Sequence, residues 1–338
     1  MLQLKDNEYN KNTAPNESKL KLWTSMGLLL TYQCPAQCEF CYYNCGPEKS
    51  GLMSIETAIT AWQGLIRIAG EQAKVHITGG EPFLFWQHLQ QLLATAAKLS
   101  LGPVDIIETN GYWATNRTEI TERLKFLNSN NVHKLKISYD PFHSEFVDYE
   151  NVKLLYEIAC EIFGDDRVLF RWQYYLKNPP HTNGLSDEQK LNLFLESYKL
   201  YRFRFTGRAG GKLAQALENK GVEQISAENC KKAFLDSKSI HIDPYGNVFN
   251  GVCSGIAIGN INQRPLDEIW QAFNPADTEF VNVLFNKGPA GLADEAAKSG
   301  FQKRRLYSSK CHLCTDLRQF FFDNGYFRQI ISPKDCYN

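Results

Sequence analysis

Short apolar segments alternate with longer amphipathic segments from residue 26 to residue 205. Short apolar runs bounded by turn residues are typical of buried strands, and amphipathic runs with apolar positions three and four apart are typical of helices. The predicted strands are 27–32, 74–78, 104–109, 134–139, 168–175 and 201–205. The predicted helices lie near 54–68, 86–99, 119–127, 147–163 and 187–200. This alternation predicts an α/β fold with a parallel sheet that curls toward a barrel.

The two ends of the chain depart from this alternation. Residues 1–22 are polar without an apolar period, which predicts an N-terminal arm that is mobile or laid over the surface. After residue 206 the alternation stops, and a hairpin is predicted at 239–249, with its turn near Gly246. We therefore expect a barrel domain at 23–209 and a small C-terminal domain at 210–338.

Composition indicates a globular protein without a nucleic-acid or membrane partner. Apolar residues make up 43% of the chain and charged residues 22%, which excludes wholesale disorder. The 37 Lys and Arg balance the 37 Asp and Glu, so no positive excess is available to cover a phosphate backbone. No apolar stretch approaches the ~20 residues of a membrane span, and the polar N-terminus is unlike a signal peptide. We expect a cytoplasmic protein.

Ten cysteines are many for a protein of a reducing compartment, and they favour metal or redox chemistry. Nine of them form two groups, one of four near the N-terminus and one of five after residue 229. The tenth, Cys160, lies in an apolar helical segment, where a buried inert thiol is expected.

The first group follows the first predicted strand and consists of Cys34, Cys38, Cys41 and Cys45. The carboxyl ends of parallel strands are where α/β folds place their chemistry. Three closely spaced thiolates suit a four-iron, four-sulfur cluster whose fourth iron stays open to a ligand that is not protein. A zinc knuckle would use the same residues, and so would a closed electron-transfer cluster in which Cys45 binds the fourth iron.

The segment at 76–82, His-Ile-Thr-Gly-Gly-Glu-Pro, follows the second predicted strand and decides between these alternatives. Two glycines let the backbone approach a ligand closely, and the Glu-Pro pair fixes the turn. The Cys-x3-Cys-x2-Cys spacing, the aromatic Phe40 and the Gly79-Gly80-Glu81-Pro82 turn together resemble the radical S-adenosylmethionine superfamily. The resemblance runs from about residue 26 to residue 209 and implies a partial six-stranded β/α barrel, (β/α)6.

The resemblance also implies how the cofactor is bound. The open iron would chelate the amino and carboxylate groups of S-adenosylmethionine, Phe40 would lie near the adenine, and Gly79 to Glu81 would meet the methionine amino group. Polar side chains at the strand ends would bind the ribose or the methionine carboxylate. These candidates are Glu108, Thr109, Asn110, Ser138, Asp140 and Arg171. A strand-end cap or a surface ion pair is the alternative role for each of them.

Cys230, Cys253, Cys311 and Cys314 lie beyond the predicted barrel, and four thiolates suit one fully ligated cluster or one zinc ion. Their arrangement resembles the C-terminal twitch domain in the SPASM and twitch branch of the same superfamily, which implies one auxiliary four-iron cluster. The fuller SPASM domain has further cysteines after the pair, and residues 315–326 contain none. Cys336 could replace one of these ligands or approach the active site.

Three titratable residues, Asp140, His143 and Glu145, follow the fourth predicted strand. One of them could remove a proton from a substrate radical, and with an electron-accepting auxiliary cluster the net reaction would be an oxidation. Cys45 or Cys336 could instead return a hydrogen atom to a substrate carbon, which would be epimerisation. Simpler roles remain open: a ribose contact for Asp140, a helix cap for His143 and an unused thiol for Cys45.

The resemblance thus implies an enzyme that cleaves S-adenosylmethionine to a 5′-deoxyadenosyl radical and takes a hydrogen atom from a substrate. The expected substrate is a ribosomally made peptide, modified by epimerisation, thioether formation or C–C bond formation. A small-molecule dehydrogenase acting on an aminocyclitol or sugar is one alternative, and a non-catalytic iron–sulfur electron carrier is another. A flavodoxin-like or ferredoxin-like protein would be the electron donor.

Overall fold

The named strands of the described residues form a single sheet. The computed structural model describes residues 7–11, 18–251 and 253–338. The strands in these ranges are β1 Ser25–Leu29, β2 Lys74–Thr78, β3 Val104–Thr109, β4 Val132–Ser138, β5 Val168–Arg171, β6 Ser239–Ile242, β7 Asn247–Asn250 and β8 Ala257–Asn260. Their order across the sheet is β5-β4-β3-β2-β1-β6-β7-β8.

Six neighbouring strands of this sheet are parallel. β1 pairs with β2 on one side and with β6 on the other, and β3, β4 and β5 continue in the same direction. β6, β7 and β8 then pair antiparallel, with the predicted hairpin between β6 and β7. The predicted α/β class is confirmed, and the six parallel strands form an open sheet.

The sixth parallel strand is not the one that the hydrophobic pattern predicts. Residues 201–205 form no strand, and the sixth position belongs to β6, beside β1. Phe203 and Phe205 are buried, whereas Arg202 and Arg204 are exposed. The alternation arises because an extended segment buries one side against the core without pairing its backbone with a strand. The prediction of a strand at 201–205 was therefore wrong.

Helices connect the parallel strands. The five predicted helices are confirmed, each within two residues at either end. The helices of the described ranges are α1 Glu8–Lys11, α2 Ile55–Ala69, α3 Trp86–Lys98, α4 Arg117–Ser129, α5 Tyr149–Phe163, α6 Tyr174–Lys177, α7 Asp187–Leu200, α8 Lys212–Gln215, α9 Val222–Ile225, α10 Lys231–Leu235, α11 Leu266–Gln271, α12 Glu279–Lys298 and α13 Lys310–Asp323. Ser54, Asn116 and Asp148 start α2, α4 and α5, because their side-chain oxygens accept first-turn amides. None of the helices in the described ranges combines the length and the apolar character that crossing a bilayer requires.

The N-terminal segment is tied to the C-terminal half of the chain where the structure describes it. The side chain of Asn7 is buried and donates to the backbone carbonyls of Trp270 (3.1 Å) and Phe273 (2.8 Å). The other parts of the predicted arm, residues 1–6 and 12–17, lie outside the described residues.

The two predicted main domains share the sheet. The predicted boundary at 209 falls in the 3₁₀ turn Gly207–Gly210, and β6 beyond it pairs with β1 before it. In the C-terminal region α12 and α13 pack against each other. The division of the chain at this boundary stays a prediction.

Candidate active site

The loop after β1 opens onto a cavity of about 340 Å³. Cys34, Cys38 and Cys41 all line this cavity, which we call the cysteine-loop cavity. The Arg208 guanidinium connects two points of this loop, because it donates to the backbone carbonyls of Cys38 (2.8 Å) and Cys45 (2.6 Å). The fold therefore brings the three thiols of the motif to one cavity, which the Cys45 thiol lines as well.

Gly79 and Gly80 let the turn after β2 pack against the backbone of the cysteine loop. The Gly80 amide donates to the Thr31 carbonyl (2.6 Å), and the Glu81 amide donates to the Gln33 carbonyl (3.0 Å). A Cβ on Gly80 would lie 2.0 Å from the Gln33 carbonyl oxygen, and Gly79 has a φ of +126°. Both positions therefore require glycine, and both line the cysteine-loop cavity.

The Glu81 carboxylate fastens the ends of β2 and β3 together. One oxygen accepts from the Thr109 hydroxyl (2.9 Å) and the Phe83 amide (3.1 Å), and the other accepts from the Asn110 amide (2.8 Å). Burial raises the pKa of Glu81 to about 7, although these hydrogen bonds favour the charged form. Pro82 begins the 3₁₀ turn that Glu81 caps. Glu81 is thus engaged within the protein.

Glu108 lies on the cavity wall in an ion pair. Its carboxylate accepts from the Lys136 ammonium (3.0 Å) and from the Thr78 hydroxyl (3.2 Å). Burial alone would raise the pKa of Glu108, but the attraction of Lys136 outweighs it and lowers the pKa to about 2. The carboxylate is therefore charged at neutral pH and already has a partner.

Phe40 and Arg171 form another part of the wall. The Arg171 guanidinium lies 4.6 Å from the centre of the Phe40 ring and 4.6 Å from that of Trp172. The side-chain nitrogen of Asn110 lies 3.7 Å from the Cys34 sulfur. Five of the six candidates at the strand ends line the cavity: Glu108, Thr109, Asn110, Ser138 and Arg171.

Of the three titratable residues after β4, His143 lines the cavity and the other two do not. Asp140 is fully buried, and its Oδ1 accepts from the amides of Phe142 (3.0 Å) and His143 (3.1 Å). Its Oδ2 lies 2.9 Å from His143 Nδ1. Glu145 forms an ion pair with Lys190 (3.0 Å). Asp140 therefore positions His143, and Glu145 is engaged elsewhere.

The two candidate hydrogen-atom donors lie in different surroundings. Cys45 lines the cysteine-loop cavity, and its amide donates to the Cys41 sulfur (3.3 Å). Cys336 is buried with its sulfur 3.4 Å from the Tyr32 hydroxyl oxygen, and this hydroxyl donates to Asp243 (3.1 Å). The structure thus brings Cys45, and not Cys336, to the lining of the cavity.

Two histidines that sequence reasoning missed also line this cavity. His76 of β2 and His241 of β6 are the register partners of Gly27 in β1, and their ring centres are 5.3 Å apart. His241 Nδ1 lies 2.8 Å from the Gly251 carbonyl oxygen, so Nδ1 is the donor and Nε2 carries no hydrogen in the neutral ring. Burial, aided by His76, lowers the pKa of His241 to about 3. The sequence does contain one signal for this pair of histidines. Gly27 lies inside an apolar strand, and such a glycine indicates that neighbouring groups approach the strand closely.

The cysteines of the second group meet at a second cavity, of about 350 Å³, which we call the auxiliary cavity. It is lined by Cys230, Cys253, Cys311 and Cys314. The last two lie at the start of α13, where the Ser309 hydroxyl accepts a first-turn amide. Burial, with a contribution from the Cys253 thiol, raises the pKa of Cys311 to about 11.

No protein-family model matches the chain. YydG, a protein of Bacillus subtilis (strain 168) that is named for peptide biosynthesis, is 27% identical over 139 residues, which are 39% of this chain and 41% of YydG. The chain thus matches less than half of the length of this curated relative. The cysteine motif after β1, the Gly-Gly-Glu-Pro turn after β2 and the relationship to YydG agree with the predicted resemblance. The predicted resemblance to the radical S-adenosylmethionine superfamily is confirmed.

Two solved structures are similar to this chain over most of its length. BtrN in complex with AdoMet and 2-DOIA is 17% identical, with a TM-score of 0.48 over 80% of this chain and 90% of that one. Native anSMEcpe with bound AdoMet and the Cp18Cys peptide is 16% identical, with a TM-score of 0.42 over 89% of this chain and 97% of that one.

The cysteine-loop cavity fits the groups that the superfamily binds. Four thiols line it, and the three of the Cys-x3-Cys-x2-Cys motif are the number that leaves one iron of a four-iron cluster free. Its volume lies within the range of small-molecule sites, and aromatic, cationic and amide side chains line it. In the described part of the chain, no three His, Cys, Asp or Glu side chains are grouped as a site for a metal ion. A cluster distributes its protein ligands over separate irons.

Proposed function

We propose that this protein cleaves S-adenosylmethionine reductively and uses the resulting radical to take a hydrogen atom from a peptide during post-translational modification. One observation carries the proposal: Cys34, Cys38 and Cys41 line a cavity whose other walls include Phe40 and Arg171. Such a cavity offers ligands for an iron–sulfur cluster and, beside them, groups that recognise a nucleotide and an amino acid.

The three thiolates of the loop would hold the cluster. When bound, the cluster would supply the electron that splits S-adenosylmethionine into methionine and a 5′-deoxyadenosyl radical. The chain's own part is to orient the nucleotide. Phe40 offers a ring face to the adenine, and the Arg171 guanidinium, which lies against that ring, offers paired donors to a carboxylate.

Other residues of the cavity would handle the proton or hydrogen atom that the substrate radical requires. His143 reaches the cavity with the Asp140 carboxylate beside Nδ1, so Nε2 is the atom available to a substrate proton. The Cys45 thiol lines the same cavity and suits hydrogen-atom donation to a carbon radical. Glu145 and Cys336 stay candidates for this role, although neither of them lines the cavity.

The auxiliary cavity suits a second four-iron cluster, and with it the twitch type of C-terminal domain. Four thiols line the cavity, which is the number that closes all four irons. Lys310 and Arg318 line it as well, and their positive charges would offset those of the thiolates. Such a cluster would accept or pass on an electron of the substrate radical.

A peptide substrate is supported by the relationship to YydG, which extends over part of both chains. All ten cysteines are free thiols in the structure. This suits a reducing compartment, so we place the protein in the cytoplasm, with a flavodoxin-like or ferredoxin-like protein as its electron donor.

The proposal is tested by anaerobic reconstitution with iron and sulfide, addition of S-adenosylmethionine and dithionite, and measurement of 5′-deoxyadenosine and methionine. We expect both products from the wild type and background levels from Cys38→Ala. Cys160→Ala removes a thiol that lies outside both cysteine-lined cavities, and this matched control should leave both products unchanged. A brown reconstituted protein that forms no 5′-deoxyadenosine would instead support an electron carrier.

The substrate class needs a separate measurement. Deuterium transfer into 5′-deoxyadenosine is followed with a deuterated peptide and, in parallel, with a deuterated aminocyclitol. Transfer from the peptide supports the proposal, and transfer from the aminocyclitol alone supports the small-molecule dehydrogenase.

A further inference from the structure

A third cavity, of about 660 Å³, is adjacent to both cavities that the cysteines line, because it shares lining residues with each of them. Tyr42 and His241 line both this cavity and the cysteine-loop cavity. Arg204, Lys232 and Cys253 line both this cavity and the auxiliary cavity. We call the third cavity the vestibule. Its volume lies in the range of ligand pockets and exceeds that of either cysteine-lined cavity.

The vestibule carries an excess of positive charge. Arg202, Arg204 and Lys232 line it, and within the described ranges none of these three cations forms an ion pair with a carboxylate. Asp236 also lines the vestibule, but it is paired with Lys21 at 3.6 Å. The charge of the three cations is therefore available to an anionic ligand.

These cations do not have the same neighbours. Arg204 and Lys232 also line the auxiliary cavity, where their charge would offset the thiolates of a bound cluster. Arg202 lines the vestibule and neither of the other two cavities. Its guanidinium lies 4.4 Å from the centre of the Tyr198 ring, which restrains the side chain. Offsetting the charge of a bound cluster therefore accounts for Arg204 and Lys232 but not for Arg202.

Asn250 forms part of the inner wall of the vestibule. It is 4% exposed, and its side-chain nitrogen donates to the Ala233 carbonyl (2.6 Å). Its Oδ1 is buried away from solvent, so a ligand in the vestibule does not reach this atom. The cations of the vestibule are therefore the groups that a ligand meets.

We propose that the vestibule binds an acidic segment of the substrate peptide, with an aspartate or glutamate carboxylate at Arg202. A neighbouring residue of the peptide then reaches the cysteine-loop cavity past Tyr42 and His241. This assignment rests on the proposed function, because it takes the substrate to be a peptide. A guanidinium binds a carboxylate through two parallel N–H···O bonds, which the unpaired Arg202 can supply.

The observations favour a peptide over a nucleic acid. A phosphate backbone needs a row of cations, whereas the vestibule combines three cations with the Asp236 carboxylate. The chain as a whole has no net charge. An acidic peptide segment needs only a few cations, which the vestibule supplies.

The test uses the reconstituted full-length protein and two nine-residue peptides labelled with an uncharged dye. One peptide carries three glutamates, and the other carries glutamines in the same places. Fluorescence anisotropy should give at least about tenfold tighter binding of the glutamate peptide at low salt, and the preference should shrink near 0.3 M salt. Arg202→Gln should reduce the preference about fivefold or more, and Arg202→Lys should retain part of it. Arg305→Gln, which removes an exposed arginine outside all three cavities, should leave it unchanged.

Equal affinities for the two peptides, or equal losses in Arg202→Gln and Arg305→Gln, would overturn the proposal. Loss of iron from Arg202→Gln would also overturn it, because Arg202 would then serve a cluster. Complete displacement of the peptide by an equal concentration of free glutarate would indicate a small-anion site and contradict peptide binding. Circular dichroism of each variant establishes that it is folded. Since binding is measured without S-adenosylmethionine, its failure is distinguishable from a failure to form 5′-deoxyadenosine.

Discussion

His76 and His241 face each other across Gly27, and the Nε2 atom of each ring lies 2.6 Å from the point where a Cβ of Gly27 would be. The two imidazoles occupy the space that a side chain on the middle strand would take. Burial lowers the pKa of both histidines, so both rings are neutral where they line the cysteine-loop cavity. This part of the wall therefore presents hydrogen-bonding groups without charge.

His241→Asn should weaken the pH dependence of stability. The pKa of His241 is lowered by burial and by His76 to about 3, whereas an unfolded histidine has a pKa of about 6.5. The stability contributed by the neutral ring is therefore complete above pH 6.5 and is lost progressively as the pH falls toward 3. At pH 5 the loss is about 2 kcal/mol. Asparagine keeps a donor for the Gly251 carbonyl and does not titrate, so its urea midpoint should fall less between pH 7 and pH 5.

Glu81 changes the stability with pH in the direction opposite to His241, and comparing the variant with the wild type cancels this effect. Its pKa is raised by burial to about 7, so its contribution to stability is complete below about pH 4.3 and is lost as the pH rises through 7. This contribution is common to both proteins. Equal changes of the urea midpoint in the wild type and in His241→Asn would contradict the assignment to His241.

Gly80→Ala should destabilise the protein and displace the cysteine loop. The new Cβ would lie 2.0 Å from the Gln33 carbonyl oxygen, so the backbone of one segment must move. Overpacking of this kind costs about 1–3 kcal/mol, which thermal unfolding followed by circular dichroism would detect. Gly46→Ala is the control in the same region, because its nearest neighbour lies 3.6 Å away and its φ is not positive. A similar loss in both variants would contradict this explanation.

Cys45→Ala should leave the iron bound at the cysteine-loop cavity unchanged. Three thiolates suffice for the proposed cluster, and the Cys45 thiol is not among them. Iron analysis and visible absorption after reconstitution measure the effect, with Cys38→Ala as the variant that should lose this cluster. A closed electron-transfer cluster predicts the opposite result, namely an equal loss of iron in both variants.

Cys311→Ala should lower the iron content by about four atoms per chain and retain the N-terminal cluster. The reason is that Cys311 lines the auxiliary cavity together with Cys230, Cys253 and Cys314. The matched control is Cys160→Ala, which removes a thiol that lines neither cysteine cavity. Zinc in place of iron in the reconstituted wild type would show that the second group binds a single metal ion.

Sequence reasoning located what is local in the chain. The first five strands and their helices follow from hydrophobic periodicity, and the cysteine motif and the Gly-Gly-Glu-Pro turn are contiguous segments. The extent of the fifth strand was wrong, because β5 ends at Arg171 and residues 172–175, which were predicted as strand, form a turn and the start of α6. The His76–His241 pair was missed because it depends on two strands, distant in sequence, that both pair with β1. The positive charge of the vestibule was missed for a similar reason, since Arg202, Lys232 and Asn250 come from three separate segments.

The pairing of β6 with β1 has a consequence for any attempt to shorten the protein. Removing the residues after 209 would deprive β1 of its partner along Ser25–Leu28 and leave unsatisfied amides and carbonyls on an apolar strand. Such bare strand edges invite association between copies. A fragment ending at 209 is therefore expected to aggregate. The strand that precedes the first cysteine motif is held in place by a segment about two hundred positions further along the polypeptide.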